Sequence, residues 1–190
     1  LIAMPRYNER KYAKRVLEKV RRFHPEILVV DDGSTDGTDN LLAREPGIVD
    51  IELDPPIIIV GLPRTGTTHL HQLLATDTSL RTLPYGESVE PFPLVSEAGI
   101  EPDPRRARTD ASVWFINEAM PRFPLMHEMT TDHIHEEIQL LAIDFSTMFF
   151  ESLASVPAWA DYYRAHDQRP HYQFLRTTLQ ALTHLRGGTR

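Results

Sequence analysis

One short segment of the sequence combines glycines, hydroxyls and a cation at a spacing that suits a phosphate ligand. Gly61 and Gly66 are separated by four residues, and two threonines follow directly. Glycine lets the backbone turn and approach a ligand closely, and a helix that starts after the second glycine presents unpaired N–H groups at its positive end. Arg64 lies within the loop and adds a guanidinium charge. The predicted phosphate ligands are Arg64, Thr65, Gly66, Thr67 and Thr68.

The residues on either side of this loop predict the elements that would position it. Residues 57–60 form an apolar, β-branched run that predicts a buried strand leading into the loop. The apolar residues after Thr68 predict a helix that extends to about residue 75. Thr67 occupies the position at which the loop of nucleotide triphosphatases carries a lysine. The sequence therefore predicts a phosphate-binding loop of a different class.

Residues 56–70, which read PIIIVGLPRTGTTHL, resemble the 5′-phosphosulfate-binding loop of bacterial-type sulfotransferases. Residues 83–87, 127–137 and 157–182 are similar to further segments of that family. The resemblance implies 3′-phosphoadenosine 5′-phosphosulfate as the donor cosubstrate and a small molecule with a hydroxyl or amine as the acceptor. It covers about residues 54–190 and corresponds to the N-terminal half of such a domain. We expect the parts that hold the 3′-phosphate of the donor to follow the last residue, and turnover to suffer from that truncation.

Transfer to such an acceptor needs a group that takes its proton and a cation that stabilises the leaving phosphate. Glu87 matches the position where the family carries a catalytic glutamate, so the resemblance makes it the first candidate base. His127 is the second candidate, because an imidazole titrates near neutral pH. Arg64 is the predicted cation at the leaving group.

Two further histidine pairs, His69 with His71 and His133 with His135, are each spaced two residues apart. Side chains at that spacing share a face only on a strand. Because both stretches are predicted to be helical, the two rings of each pair are expected to diverge. The sequence analysis therefore predicts no metal site and no metal cofactor.

A second resemblance lies at the start of the chain. Residues 4–9 (MPRYNE) and 29–38 (VVDDGSTDGT) are similar to the opening of family 2 glycosyltransferases. The resemblance implies half of a nucleotide-sugar site, made by Pro5, Tyr7, Glu9, Asp31 and Asp32. The D-x-D motif that holds the metal in such enzymes does not occur between Gly47 and the sulfotransferase-like segment, so a complete glycosyltransferase is excluded.

Composition and charge limit the class of protein. The chain has 190 residues with 41% hydrophobic and 25% charged residues, a net charge of −7 and no cysteine. These values exclude disulfide frameworks and thiolate metal sites and argue against a nucleic-acid binder. No apolar run reaches the length of about 18 residues that a membrane span needs. We expect a cytoplasmic protein, with a natural start that precedes Leu1.

The predicted fold class is α/β. Strands over residues 1–4 and 27–30 alternate with helices over 9–23 and 38–44, which implies parallel strands. The chain divides into a glycosyltransferase-like βαβα fragment over 1–53 and a truncated sulfotransferase-like P-loop domain over 54–190, whose later part is mostly helical. The helices predicted there cover residues 111–119, 136–153, 157–166 and 171–185. Three functions remain open: a sulfotransferase, a fragment that binds a nucleotide sugar, and a non-catalytic nucleotide-binding remnant. The oligomeric state is not predicted.

Overall fold

The computed structural model describes residues 2–6, 27–31, 44–62, 64–97 and 99–187. Within these residues the protein is mixed α/β and mostly helical. The strands are β1 (Ile2–Arg6), β2 (Ile27–Asp31), β3 (Leu83–Pro84) and β4 (Ile134–His135). The α-helices are α1 (Thr67–Leu74), α2 (Tyr85–Val89), α3 (Pro104–Ala119), α4 (Phe123–Met126), α5 (Ile138–Ile143), α6 (Phe149–Leu153), α7 (Pro157–Ala165) and α8 (Arg169–Leu185). Two 3-10 turns cover Pro46–Asp50 and Val95–Glu97.

The first two strands pair with each other in parallel. Their register runs from Ile2 opposite Ile27 to Arg6 opposite Asp31. Parallel neighbours need a crossover connection between them. The helix predicted over residues 9–23 lies outside the described residues, as does nearly all of the one predicted over 38–44.

The strand predicted over residues 57–60 is wrong: this run forms neither strand nor helix. Its side chains are largely exposed, 76% for Ile58 and 88% for Val60. A strand requires a neighbour that accepts and donates its backbone hydrogen bonds. The part of the chain that the structure describes places no strand beside this run. The predicted phosphate loop is therefore preceded by a segment without regular secondary structure rather than by a strand.

The helical part follows the prediction in α7 and α8 but differs before them. Helix α3 begins at Pro104, seven residues earlier than predicted, because the Asp103 carboxylate accepts a hydrogen bond from the Arg105 N–H at 3.0 Å and caps it. The predicted helix over 136–153 is divided into α5 and α6, and Phe145 between them has a φ of 51°. Met148, the residue that precedes α6, is 64% exposed.

Helix α8 contributes residues to the hydrophobic core. It also makes hydrogen bonds to the chain on both sides of the predicted phosphate loop. Its Leu175 and Leu182 pack with Leu140 and Leu141 of α5. The buried Gln180 side chain donates from Nε2 to the carbonyl oxygens of Val49 at 2.9 Å and Ile51 at 2.8 Å. After the loop, the Arg81 guanidinium donates to Thr183 Oγ1 at 2.5 Å. No helix in the described ranges has the length and apolar character needed to cross a bilayer.

Replacing Gln180 with leucine should lower the free energy of unfolding by about 1–3 kcal/mol, because two backbone carbonyl groups lose the donor that this buried side chain supplies. Urea denaturation followed by circular dichroism measures the change. Gln173→Leu is the matched control, since Gln173 lies exposed on the same helix and should be nearly neutral. Equal stability of both variants would contradict the anchoring role of Gln180.

Candidate functional site

The predicted phosphate loop adopts a backbone that only a few residue types favour. Gly66 is the N-cap of α1 with a φ of 90° and a ψ of 15°, and Arg64 also has a positive φ, of 68°. Leu70 N–H donates to Gly66 C=O at 3.0 Å, which is the first bond of the helix. No side chain among the described residues caps α1, so its first N–H groups remain available for a ligand.

A cavity of about 300 Å³ lies at this end of α1. It is lined by Arg64, Gly66, Thr67, Thr68 and His69. The structure thus brings together four of the five predicted phosphate ligands. Thr65 does not line the cavity, because its hydroxyl donates to the Leu62 carbonyl oxygen at 2.6 Å. A cation, two hydroxyls and the helix N-terminus together can bind and neutralise a phosphate.

Gly66→Ala should destabilise this loop by about 1–2 kcal/mol, the usual cost of a left-handed backbone at a residue with a Cβ. An added Cβ meets no atom within 4 Å, so the cost is conformational rather than steric. Urea denaturation measures it. Gly47→Ala is the control, because the added Cβ is equally unhindered there and the backbone needs no positive φ. If both variants have the same stability, the left-handed cap does not strain the loop.

Glu87 lies in the first turn of α2 and is paired with Arg186, one residue beyond α8. Its Oε1 accepts from Arg186 Nε at 2.9 Å, and its Oε2 accepts from Nη2 of the same guanidinium. Arg186 also donates to the Thr82 carbonyl oxygen at 3.2 Å. Burial and the neighbouring Arg186 lower the pKa of Arg81. Glu87 therefore stands within a cationic group, and it does not line the cavity at the loop.

His127 lies beside two other histidines that sequence analysis assigned to a helix. The stretch containing His133 and His135 is instead extended: β4 pairs antiparallel with β3, with His135 opposite Leu83. Tyr85 N–H donates to the His133 carbonyl oxygen at 2.8 Å and prolongs this pairing. The ring centroid of His127 is 5.3 Å from that of His133 and 6.1 Å from that of His135. The helical prediction for this stretch is wrong, and with it the expectation that these rings diverge.

Two of the three rings are shifted toward the neutral form for a physical reason. Burial, followed by the neighbouring His127 and His133, lowers the pKa of His135 to about 4. Burial and His127 likewise lower the pKa of His133. His71 of α1 also lowers the pKa of His133 and His135, so the helix that starts at the loop extends toward this cluster.

A second histidine cluster, which the sequence did not indicate, joins α7 to α8. His171 Nδ1 lies 2.6 Å from Asp144 Oδ2, and His171 Nε2 lies 3.0 Å from His166 Nε2. The ring of His166 stacks on Tyr162. These contacts join residues up to 27 positions apart, and no short motif could reveal them. They fix the start of α8.

The glycosyltransferase-like half-site is described only in part. Pro5 and Asp31 lie on the adjacent strands β1 and β2, one register position apart. Tyr7, Glu9 and Asp32 lie outside the described residues. This half-site remains a prediction.

Comparison with known proteins relates these features to families. Residues 55–184 match the sulfotransferase family, and residues 1–66 match glycosyl transferase family 2. No curated protein matches the chain. Sulfotransferase STF1 from Mycobacterium tuberculosis H37Rv is 31% identical with a TM-score of 0.62, over 75% of this chain and 39% of that protein's chain. Sulfotransferase STF9 from Mycobacterium avium is 27% identical with a TM-score of 0.62, and the match covers 77% of this chain and 38% of that protein's chain.

The chain thus spans less than two fifths of the length of either solved structure. Within the part it shares with them, its fold is sulfotransferase-like and mostly helical. The sulfotransferase match covers more than half of the chain, whereas the glycosyl transferase match covers about a third. The chain belongs to the sulfotransferase family.

Proposed function

We propose that this protein transfers a sulfuryl group from 3′-phosphoadenosine 5′-phosphosulfate to a hydroxyl or amine of a small molecule. The observation that carries the proposal is the cavity at the start of α1, where Arg64 lies beside two threonines and uncapped helix N–H groups. Such a site suits the 5′-phosphate of the donor, which carries the sulfuryl group. Membership of the sulfotransferase family supports the same reaction.

The residues of the loop would act on the leaving group. During transfer, a bond forms between the acceptor oxygen or nitrogen and sulfur, and the bond between sulfur and the 5′-phosphate oxygen breaks. Negative charge then grows on the 5′-phosphate, and adenosine 3′,5′-bisphosphate leaves. Arg64, together with the N–H groups and hydroxyls of Thr67 and Thr68, would stabilise that charge. This use of fixed donors at a transferring group follows the logic of phosphoryl transfer.

The proton of the acceptor must pass to a base, for which we retain two residues. Glu87 is the first, and it would have to loosen its contact with Arg186, because both carboxylate oxygens accept bonds there. Arg186 would be the positioning residue that orients the carboxylate before the acceptor binds. His127 is the second, because an imidazole can accept a proton, and its ring lies beside those of His133 and His135.

A titration tests the donor assignment. We expect isothermal calorimetry to show binding of adenosine 3′,5′-bisphosphate, the product that keeps both phosphates of the donor. UDP and GDP with Mn²⁺ are the comparison ligands. Binding of the adenosine ligand together with transfer of labelled sulfate from the donor would support a sulfotransferase. Binding without transfer would favour a non-catalytic remnant, and binding of only a uridine or guanosine nucleotide would reject the sulfotransferase.

The last of those outcomes corresponds to a second candidate function. The match of residues 1–66 to glycosyl transferase family 2 and the parallel pair β1 and β2 support a nucleotide-sugar half-site in this segment. Its residues would be Pro5, Tyr7, Glu9, Asp31 and Asp32. With it we retain the division of the chain into residues 1–53 and 54–190 as a proposal.

A further inference from the structure

Three imidazoles converge at the end of the β3 and β4 pairing, and none of them lines the loop cavity. We propose that His127, His133 and His135 form a binding site for a divalent transition-metal ion, with Zn²⁺ as the preferred ion. One ligand atom from each ring lies within 4.8 Å of the other two. This inference goes beyond sulfuryl transfer and does not depend on it.

The ring positions are near those of a tetrahedral site. With a Zn–N distance of about 2.1 Å, tetrahedral geometry separates the ligand nitrogens by about 3.4 Å and the ring centroids by about 5.2 Å. The centroid distance is 5.3 Å between His127 and His133, 6.0 Å between His133 and His135, and 6.1 Å between His127 and His135. The ring planes of these three pairs are inclined by 81°, 59° and 45°, respectively. The ligand atoms lie within 4.8 Å of one another, so they would approach by at most about 1.4 Å to enter a first coordination shell. No pair of these rings is stacked, so their nitrogens can point to a common centre.

Buried polar atoms in the cluster lack the partners that such atoms normally have. Nε2 of His133 and Nε2 of His135 are buried and lack a hydrogen bond of good geometry within the described part of the chain, although the nearby Gln139 side chain raises the pKa of His135 by hydrogen bonding. Most buried polar atoms in proteins are hydrogen-bonded, and leaving one unpaired costs about 1–3 kcal/mol. A metal ion would supply the missing partner to both nitrogens. Imidazole coordinates a metal through a ring nitrogen that carries no proton.

The strand geometry explains why these histidines meet. His133 and His135 are two positions apart in an extended segment, which directs their side chains to the same face. Contacts around the rings orient them: His135 meets Tyr85 edge-on at 5.0 Å, and His127 meets Phe123 edge-on at 5.9 Å. Tyr85 and Phe123 belong to one buried cluster with Val113 and Met129, so the rings are attached to a packed part of the fold.

The three imidazole ligands determine which metal ions the site would prefer. Imidazole nitrogens suit Zn²⁺ and its transition-metal neighbours, whereas Mg²⁺ and Ca²⁺ prefer oxygen ligands. Three protein ligands leave a fourth position for water or another small ligand. Glu128 and Glu136 oppose the effect of burial on the pKa of His133, so their charges favour a cation at this place. The ion would link His127 to β4 and stabilise the fold in this region.

The proposal is tested on protein purified without a histidine tag and stripped of metal with a chelator. We expect Zn²⁺ titration calorimetry to give one ion per chain, and Co²⁺ to give the intense visible bands of a tetrahedral site. Zinc should raise the melting temperature, because it binds the folded state preferentially. His133→Gln should weaken Zn²⁺ by more than about 100-fold, since loss of an outer-shell partner alone costs 10- to 100-fold.

His184→Gln is the control, because His184 is exposed on α8 and should leave the affinity for Zn²⁺ unchanged. His127→Gln provides a second ligand variant at a half-buried position, in case His133→Gln does not fold. The proposal is overturned if the unmodified protein binds no zinc, if the Co²⁺ spectrum is octahedral, or if folded ligand variants bind zinc as tightly as His184→Gln.

Discussion

Arg64→Ala is expected to weaken the binding of adenosine 3′,5′-bisphosphate by about 10- to 100-fold. Hydrogen bonds to a charged group contribute about 1.5–3 kcal/mol each, and 1.4 kcal/mol corresponds to tenfold in affinity. The substitution isolates the side chain, because alanine is subject to the same penalty at a φ of 68° as arginine. Calorimetry on the two proteins measures the difference directly.

Two further variants serve as controls. One keeps the positive charge at residue 64 but changes its geometry, and the other removes an arginine elsewhere. Arg64→Lys should recover only part of the affinity, because an ammonium keeps the charge but lacks the planar fork that binds a phosphate by two parallel bonds. Arg176→Ala removes an exposed arginine from α8 and should leave the affinity unchanged. If Arg64→Ala binds the ligand as tightly as Arg176→Ala, the loop is not the phosphate site.

The loop itself could be predicted from the sequence because its signals are local. Gly66 followed by two threonines specifies a left-handed cap and a helix start within a few residues, and the structure has both. The run over 57–60 could not be assigned in the same way. Its composition is compatible with a strand, but strand formation depends on a partner elsewhere in the chain.

The histidine cluster of His127, His133 and His135 could not be predicted either, because it also depends on a strand pairing with a distant part of the chain. Whether His133 and His135 share a face depends on whether the segment is extended or helical, and residues 136–153 have an apolar spacing that favours a helix. The pairing of β4 with Leu83 and Pro84, about 50 residues earlier, decides in favour of an extended segment. Local propensity is overridden here by tertiary pairing. The contact between Glu87 and Arg186 is equally non-local, because it joins residues 99 positions apart.

The contact between Glu87 and Arg186 bears on which residue is the base. If His127 holds a metal ion, its lone pair is occupied and it cannot accept the proton of the acceptor. The proposed metal site therefore favours Glu87. A carboxylate that is held by one guanidinium is also fixed in orientation, which general base catalysis requires.

Glu87→Gln is consequently expected to lower kcat for sulfuryl transfer by about 10²- to 10⁴-fold, the usual contribution of a positioned acid or base. Glutamine has nearly the same shape and keeps one oxygen as an acceptor for Arg186, so the fold should be retained. The KM for the donor should change little, because the base acts on the acceptor. The measurement is transfer of labelled sulfate to a panel of phenols, alcohols and amines, with kcat and KM determined as a function of pH.

The pH profile distinguishes a base from a merely structural carboxylate. A base gives kcat a limb that falls toward acid, and this limb should disappear in Glu87→Gln. Arg186→Ala is the matched variant, since it removes the other half of the ion pair but leaves the carboxylate in place. Its kcat should fall less than that of Glu87→Gln, and the acid limb should persist, because the carboxylate is still present. Equal losses in the two variants, with the limb unchanged, would mean that Glu87 only holds Arg186, and the base would then be His127.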